Sequence, residues 1–467
     1  MNNKFKVLFK DTIIFALGSF GSKVILFLLV PIYTNYLTTE EYGIADLVFT
    51  TAQLIIPIVS IVIFEAIIRY GLMKDQNSAE VLKAGMTVGV IGTVCTVAIT
   101  PLFGLYSAIS PWKWYLCIYV ILSFNANILK GYLKVKDKNK QYALISILQT
   151  LCLAIFNILL LAVFHVGVKG YLISNIVAAA LTVLLSAFLG GAFSDLIKAR
   201  FNRYLLRQMA CYSAPLILND LSWWVIHSSD KFMVEAMVSA SALGIFTAAT
   251  KIPSLINVLI NIFGQAWNIS SIKEMDSSND TGFYSKVFAG YTFLTFGACV
   301  ALVAIIKPFM SIYVGSEFKD AWMYVPLLLA SAVFSSISSY FGQLYAALKK
   351  SVNNMLSTLT GAVVNIIVNY ICILMLGIWG AVIGTVVAYI AVATVRMIDV
   401  RRFIEIKIDM PRFLMNCILI LVQSILVSIG MNVVIVSITS IAVFCGVNYR
   451  FLGELSTAIY KRLRKKN

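Results

Sequence analysis

Between Arg207 and Ile256 the chain reads Tyr212-Ser213-Ala214-Pro215-Leu216-Ile217, Asn219-Asp220, Trp223-Trp224, His227-Ser228-Ser229-Asp230-Lys231, Leu243-Gly244-Ile245-Phe246 and Lys251-Ile252-Pro253. The stretch is apolar enough for two membrane helices, yet it carries charge. At about 100° per residue, Asp220, His227 and Lys231 fall within roughly 20° of one line along a helix, with Trp224 beside them. Ionisable groups at bilayer depth are costly and normally face a partner or a water-filled cavity. A helix with one polar face toward a cavity is therefore expected here.

The whole chain supports the membrane reading. Of 467 residues, 60% are hydrophobic and only 12% charged, and the mean hydropathy is +0.89, which excludes an ordinary soluble surface. Apolar stretches recur at 12–37, 43–68, 81–106, 112–133, 142–164, 168–190, 208–237, 243–270, 284–314, 321–348, 352–376, 379–395, 413–429 and 431–447. None alternates with the two-residue period of a barrel strand, so about fourteen transmembrane helices are expected in an all-α polytopic membrane protein. The run after Lys4, Lys6 and Lys10 has no small-residue cleavage site and reads as the first span rather than a signal peptide. The eight cysteines lie inside apolar runs without metal or disulfide spacing, and no metal or cofactor is expected.

The net charge of +16 is mostly topological. Thirty of the 37 Lys and Arg fall on one side of this map, three (Lys113, Lys169, Lys319) on the other, and four (Lys23, Lys231, Lys251, Lys307) within spans. By the positive-inside rule both termini of this multi-pass membrane protein are expected in the cytoplasm. No nucleic-acid partner is expected; the tail from Lys461 to Lys466 suits anionic membrane lipids.

The two halves also resemble each other. Gly43 in Tyr42-Gly43-Ile44 matches Gly244 in Leu243-Gly244-Ile245; Pro101-Leu102-Phe103 matches Pro308-Phe309-Met310; Asn157 before Gly167 and Gly170 matches Asn365 before Gly377 and Gly380. The offsets drift slowly from 201 to 210. The expected organisation is a six-helix lobe at 1–200, a second at 201–400, two additional spans at 401–450 and a basic cytoplasmic tail at 451–467. Because six is even, the lobes share orientation, and a pseudo-twofold axis along the membrane normal is expected, with the substrate path between the halves.

Asp11-Thr12-Ile13-Ile14, Leu17-Gly18-Ser19-Phe20-Gly21-Ser22-Lys23, Pro31-Ile32-Tyr33-Thr34-Asn35-Tyr36-Leu37 and Glu41-Tyr42-Gly43-Ile44-Ala45-Asp46 resemble the opening of bacterial oligosaccharide flippases, the Wzx-type proteins of the MATE-like polysaccharide transporter superfamily. Trp223-Trp224, Ser228-Ser229-Asp230-Lys231, Lys251-Ile252-Pro253-Ser254 and Phe263-Gly264-Gln265-Ala266-Trp267 extend the resemblance over the whole chain. Lys231 departs from the arginine expected after the aspartate. The resemblance implies a sugar repeat unit on an undecaprenyl pyrophosphate carrier, moved to the outer leaflet by alternating access through a cationic cavity. It also implies the inner or plasma membrane of a bacterial cell as the location, and the polysaccharide polymerase and assembly machinery as further partners. No covalent chemistry is implied, and the protein is not expected to be an enzyme.

Candidate substrate contacts are Lys23, Lys231 and Lys251 for phosphate, and Trp224, Asn257, Asn261 and Gln265 for sugars, since amides offer paired donors and acceptors. The plainer readings are a snorkelling Lys23 and amides that bond neighbouring helices. Asp46, Asp220 and Asp230 are acids at membrane depth that can take a coupling H+ or Na+ or balance a lysine, and His227 is either on the cavity line or a packing residue. Glu65 and Arg69, four residues apart, read as a self-neutralising pair or as gating groups. A cation-coupled drug exporter of the same superfamily is the alternative transport reading; its cavity would favour acids over lysines. A membrane glycosyltransferase or polymerase would usually carry a long outer loop, which this chain lacks.

The charge bias is directly testable. Cysteines introduced from Thr38 to Tyr42 should react with an impermeant thiol reagent on intact cells, and cysteines at Asp137 or Asn279 should not. The reverse pattern would overturn the topology.

Overall fold

A computed structural model describes residues 21–73, 75–277, 281–348 and 350–453. Among them the regular structure is helical: α1 (Val30–Tyr36), α2 (Thr39–Ser60), α3 (Ile63–Gly71), α4 (Ser78–Ile99), α5 (Lys113–Val135), α6 (Asn139–Asn157), α7 (Val168–Gly190), α8 (Ala192–Lys198), α9 (Arg203–Met237), α10 (Ala240–Ser277), α11 (Thr281–Tyr313), α12 (Val325–Ala347), α13 (Ser351–Leu376), α14 (Ile378–Val400), α15 (Met410–Ser428) and α16 (Val433–Val447). Ten helices among the described residues are long and apolar enough to cross a membrane. The other four expected spans have physical reasons to fall outside that set. The first begins outside the described residues, α9 and α10 are long but carry polar side chains, and α16 has only 15 residues.

Local sequence sets the helix starts. Thr38 accepts from the Glu41 amide at 3.2 Å while Glu41 Oε2 accepts from the Thr38 amide at 3.0 Å, a reciprocal cap that opens α2. Asn77, Asn202, Asp409 and Asn432 cap α4, α9, α15 and α16 through side-chain oxygens. The second expected span is broken. Pro57 lies inside α2, and Ile61 and Val62 follow with φ of 44° and 52°, separating α2 from α3. Proline removes a helix donor and clashes with the preceding turn, which locates the disturbance.

The chain divides into two compact units, residues 1–247 and 248–467. This division differs from the expected lobe boundary at 200/201, because α9 packs on α2, α3 and α4 in the first unit. The interior of that unit holds Tyr33, Tyr42 and Tyr171, with Tyr33 edge-on to Tyr171 at 4.8 Å between centroids and Phe49 edge-on to Tyr119 at 4.7 Å. In the second unit α12, α13 and α14 pack closely, and α11 lies against α12, α15 and α16. Trp267, from one of the resemblance motifs, is buried there and stacks on Tyr340 at 4.8 Å. The matched Asn157 and Asn365 are both fully buried, each within its own unit.

The starts of α2 and α10 approach each other closely. A methyl group on Gly43 would collide with the Ala240 carbonyl oxygen, and one on Gly244 with that of Thr39. Thr39 and Ser241 hydroxyls meet beside them at 2.6 Å. Gly43→Ala or Gly244→Ala therefore has to push two backbones apart and should destabilise by roughly 1–3 kcal/mol. A lower unfolding midpoint of the purified protein is expected for both. Gly446→Ala, where a methyl meets open space inside α16, should not lower the midpoint.

Candidate functional site

Antiparallel contacts between α2 and α9 build the site. Lys231 Nζ donates to Asp46 Oδ2 at 2.6 Å, and Thr247 Oγ1 donates to the same oxygen at 3.2 Å. Two turns back on α9, Trp224 Nε1 donates to the Thr50 carbonyl at 2.9 Å, one turn beyond Asp46 on α2. The spacing that put Trp224 and Lys231 on one helix face thus brings both against α2. Asp46 is 6% exposed, and the Lys231 side chain keeps 15%. A pair this dry is held by mutual attraction, since either charge alone would lack its hydration. An ammonium has three donors, so Lys231 retains capacity for another acceptor.

The remaining expected residues are placed as follows. Asp230 is buried, but the acid that pairs with Lys231 is Asp46. Asp220 is half-buried and accepts from Asn219 Nδ2 at 3.4 Å. His227 is exposed and stacks on Trp223 at 5.4 Å. Lys23 is exposed on a helical stretch, and the part of its expected span before Gly21 lies outside the described residues. Lys251 is half-buried in the second unit, with its carbonyl accepting from Ser254 Oγ at 2.6 Å. Asn257, Asn261 and Gln265 lie on α10, but their side chains are outside the description.

Glu65 and Arg69 do not form the expected pair among the described residues. Both are exposed, and the Arg69 guanidinium lies 4.5 Å over the Tyr212 ring, tying α3 to α9. A guanidinium over an aromatic face gains about 0.5–1 kcal/mol at an exposed site, at least as much as an exposed i,i+4 ion pair.

Three residues escaped the sequence reading. Glu235, one turn past Lys231, accepts from the Tyr106 hydroxyl. Thr247 stands 201 residues after Asp46, the same offset as Gly43 to Gly244, so the internal repeat held that signal. Arg396, counted only as a topological cation, is 1% exposed and donates to Ser357 Oγ, the Ser338 carbonyl and Thr358 Oγ1 at 2.8 to 2.9 Å, bracing α14 against α12 and α13. Among the described residues no group of three His, Cys, Asp or Glu is arranged to hold a metal.

Long apolar helices carrying a buried ion pair define a multi-pass membrane protein, and the comparisons give its class. Over 94% of this chain and 99% of the other, the structure is similar to the lipid II flippase MurJ in an inward closed conformation, with a TM-score of 0.67 and 15% identity. Over 81% and 94% it is similar to an inward-facing multidrug resistance MATE family transporter of the MOP superfamily, with a TM-score of 0.68 and 17% identity. These likenesses show a shared transporter fold. The pattern of the family described as polysaccharide biosynthesis protein matches residues 8–268, and the chain belongs to that family. A protein of the Lsg locus of Haemophilus influenzae is 24% identical over 333 residues, 70% of this chain and 82% of that one. The family match bears out the polysaccharide side of the resemblance, the fold likeness agrees with the rest of it, and the family match spans the whole α2–α9 site.

Removing one member of the buried pair should be costly. Asp46→Asn or Lys231→Ala is expected to destabilise by roughly 3–5 kcal/mol, whereas Asp46→Asn with Lys231→Met should recover most of it. Membrane abundance and the unfolding midpoint of the purified protein check this; additive losses in the double variant would show that the two groups do not act as a pair.

Proposed function

We propose that this protein is a flippase that moves undecaprenyl-pyrophosphate-linked oligosaccharide repeat units from the inner to the outer leaflet for surface polysaccharide assembly. The observation that carries the reading is the Asp46–Lys231 pair within the family-matched region: a cation at bilayer depth, held ready by an acid. Pyrophosphate crossing a low-dielectric region needs its lost hydration replaced by donors, and charge-assisted hydrogen bonds from ammonium groups do that. Lys231 supplies one, with Lys23 and Lys251 as further phosphate contacts in a cationic cavity used by alternating access. Trp224, Asn257, Asn261 and Gln265 are assigned to the sugars.

The pair also suggests how transport is coupled. Asp46 neutralises Lys231 when no anion is present; a substrate phosphate competes with it for the ammonium, and an H+ or Na+ taken up by the released carboxylate compensates its charge. Thr247 holds the same oxygen and restores the pair when the substrate leaves. The contact between residues 39–43 and 240–244 has twofold form, each glycine meeting the segment that matches the other, which supports two lobes related by a pseudo-twofold axis. Cytoplasmic termini follow from the charge bias. No covalent step is needed, and the polysaccharide polymerase and assembly machinery would receive the product.

Deleting the protein should accumulate lipid-linked repeat units on the cytoplasmic leaflet and abolish glycan export. Intact export with altered drug tolerance would favour the exporter reading instead. In the complemented strain, Lys231→Ala or Lys251→Ala should each cut export by tens-fold or more, the effect of losing a desolvated charge contact worth roughly 2–5 kcal/mol, and Lys23→Ala, at a lysine exposed here, should cut it less. The double variant Asp46→Asn with Lys231→Met should fold yet remain defective in export. Restored export in that variant would make Lys231 a structural counter-ion rather than a substrate contact.

A further inference from the structure

In the second unit, α11, α15 and the segment between α14 and α15 enclose a cavity of about 110 Å³ that the transport reading does not use. Its walls are aromatic. Phe288 and Phe296 on α11 both face Phe413 on α15, at 6.0 and 5.9 Å between centroids. Its lining includes two cations, Lys407 and Arg412. The Lys407 amide donates to Ser285 Oγ at 2.9 Å, which ties the connecting segment to α11, while the Lys407 side chain is 80% exposed and lies 4.0 Å from the exposed Glu405. Arg412 is half-buried with its guanidinium 5.3 Å over the Phe451 ring. Asp409 is the one acid in the lining, and its Oδ1 caps α15 by accepting from the Arg412 amide at 3.3 Å. At its polar end Asn416 and Asn448 exchange amide hydrogen bonds at 3.3 and 3.0 Å, leaving each amide with its partner inside the protein.

A rim of two cations over aromatic walls matches a ligand with an anionic head and an apolar body. The volume admits several water-sized groups, enough for a phosphate-bearing head and its first carbons and too little for a whole lipid. Leu414, Met415 and Ile418 on α15 are exposed next to the cavity and offer an apolar track for chains that stay in the bilayer. Lys407 and Arg412 fall on the side of the membrane that collects thirty of the chain's cations. Basic pockets between transmembrane helices on that side are suited to anionic headgroups, and the planar guanidinium fits phosphate through two parallel hydrogen bonds.

We propose that this cavity is a binding site for an anionic membrane phospholipid, its phosphate between Lys407 and Arg412 and its first carbons against Phe288, Phe296 and Phe413. The bound lipid fastens α15 to α11. The site is independent of what the protein transports, so its test reads binding rather than export.

The full chain, purified in a neutral detergent, is incubated with phosphatidylglycerol, phosphatidylcholine or inorganic phosphate, and retained lipid is measured by native mass spectrometry with the unfolding midpoint alongside. Phosphatidylglycerol should be retained and should raise the midpoint; phosphatidylcholine should do neither. Lys407→Gln or Arg412→Gln should each cut retention about fivefold, the fold-change given by about 1 kcal/mol per basic residue near an anionic headgroup. Lys319→Gln, on the other side, should change nothing. Ala289→Phe, which fills the cavity and leaves both cations in place, should abolish retention. Equal retention of the two lipids, or retention unaffected by Arg412→Gln and Lys407→Gln, would overturn the proposal. Displacement of phosphatidylglycerol by millimolar inorganic phosphate would overturn it in favour of a soluble phosphate site.

Discussion

A charge carried to bilayer depth has to be met inside the protein, and in the first unit Lys231 is met by Asp46. The 2.6 Å contact joins the second and seventh spans in sequence order, which are antiparallel here, and Trp224 repeats the connection two turns away through the Thr50 carbonyl. Exposed ion pairs contribute little because water competes with them; at 6% exposure Asp46 has lost that competitor. The same dryness makes the pair responsive. A second anion near the ammonium, or a cation near the carboxylate, changes the energy of the contact far more than it would at a surface.

Close backbone approach places that pair. Lipid tails are as apolar as leucine side chains, so helices in a bilayer associate through packing and small residues rather than through hydrophobic exclusion. Gly43 and Gly244 let the start of α2 sit against the start of α10, with the Thr39 and Ser241 hydroxyls bonded beside them. Three residues further along each strand of the repeat, Asp46 meets Thr247. Residues that match in sequence thus touch one another here, Gly43 against Gly244 and Asp46 against Thr247.

Other parts of the fold hold stored strain and buried polarity in place by packing. Ile61 and Val62 occupy left-handed conformations that cost β-branched residues roughly 1–3 kcal/mol each. Burial of Val62 and Ile63 offsets that cost, and the break leaves α3 with its own direction and its own tie to α9 through Arg69 and Tyr212. In the second unit Arg396 serves the packing of three helices through hydroxyl and carbonyl acceptors, so a cation that counts toward topology in the sequence acts as a brace in the structure.

Composition and periodicity by themselves determined an all-helical membrane protein, because satisfying the backbone in lipid leaves a sequence this apolar and unalternating no other regular structure. The 3.6-residue period was enough to set Trp224 and Lys231 on a common face, and the repeat related Gly43 to Gly244, while the same offset from Asp46 to Thr247 drew notice only once the contact was seen. Tertiary structure alone decided that Lys231 pairs with Asp46 rather than with its neighbour Asp230, that Arg69 turns to Tyr212 rather than to Glu65, and that Glu235 meets Tyr106. Partner choice depends on which helices lie within a few ångströms of one another. That distance is set by where glycine permits contact and where Pro57 disturbs a helix, and residues 185 positions apart in the chain carry no local record of it.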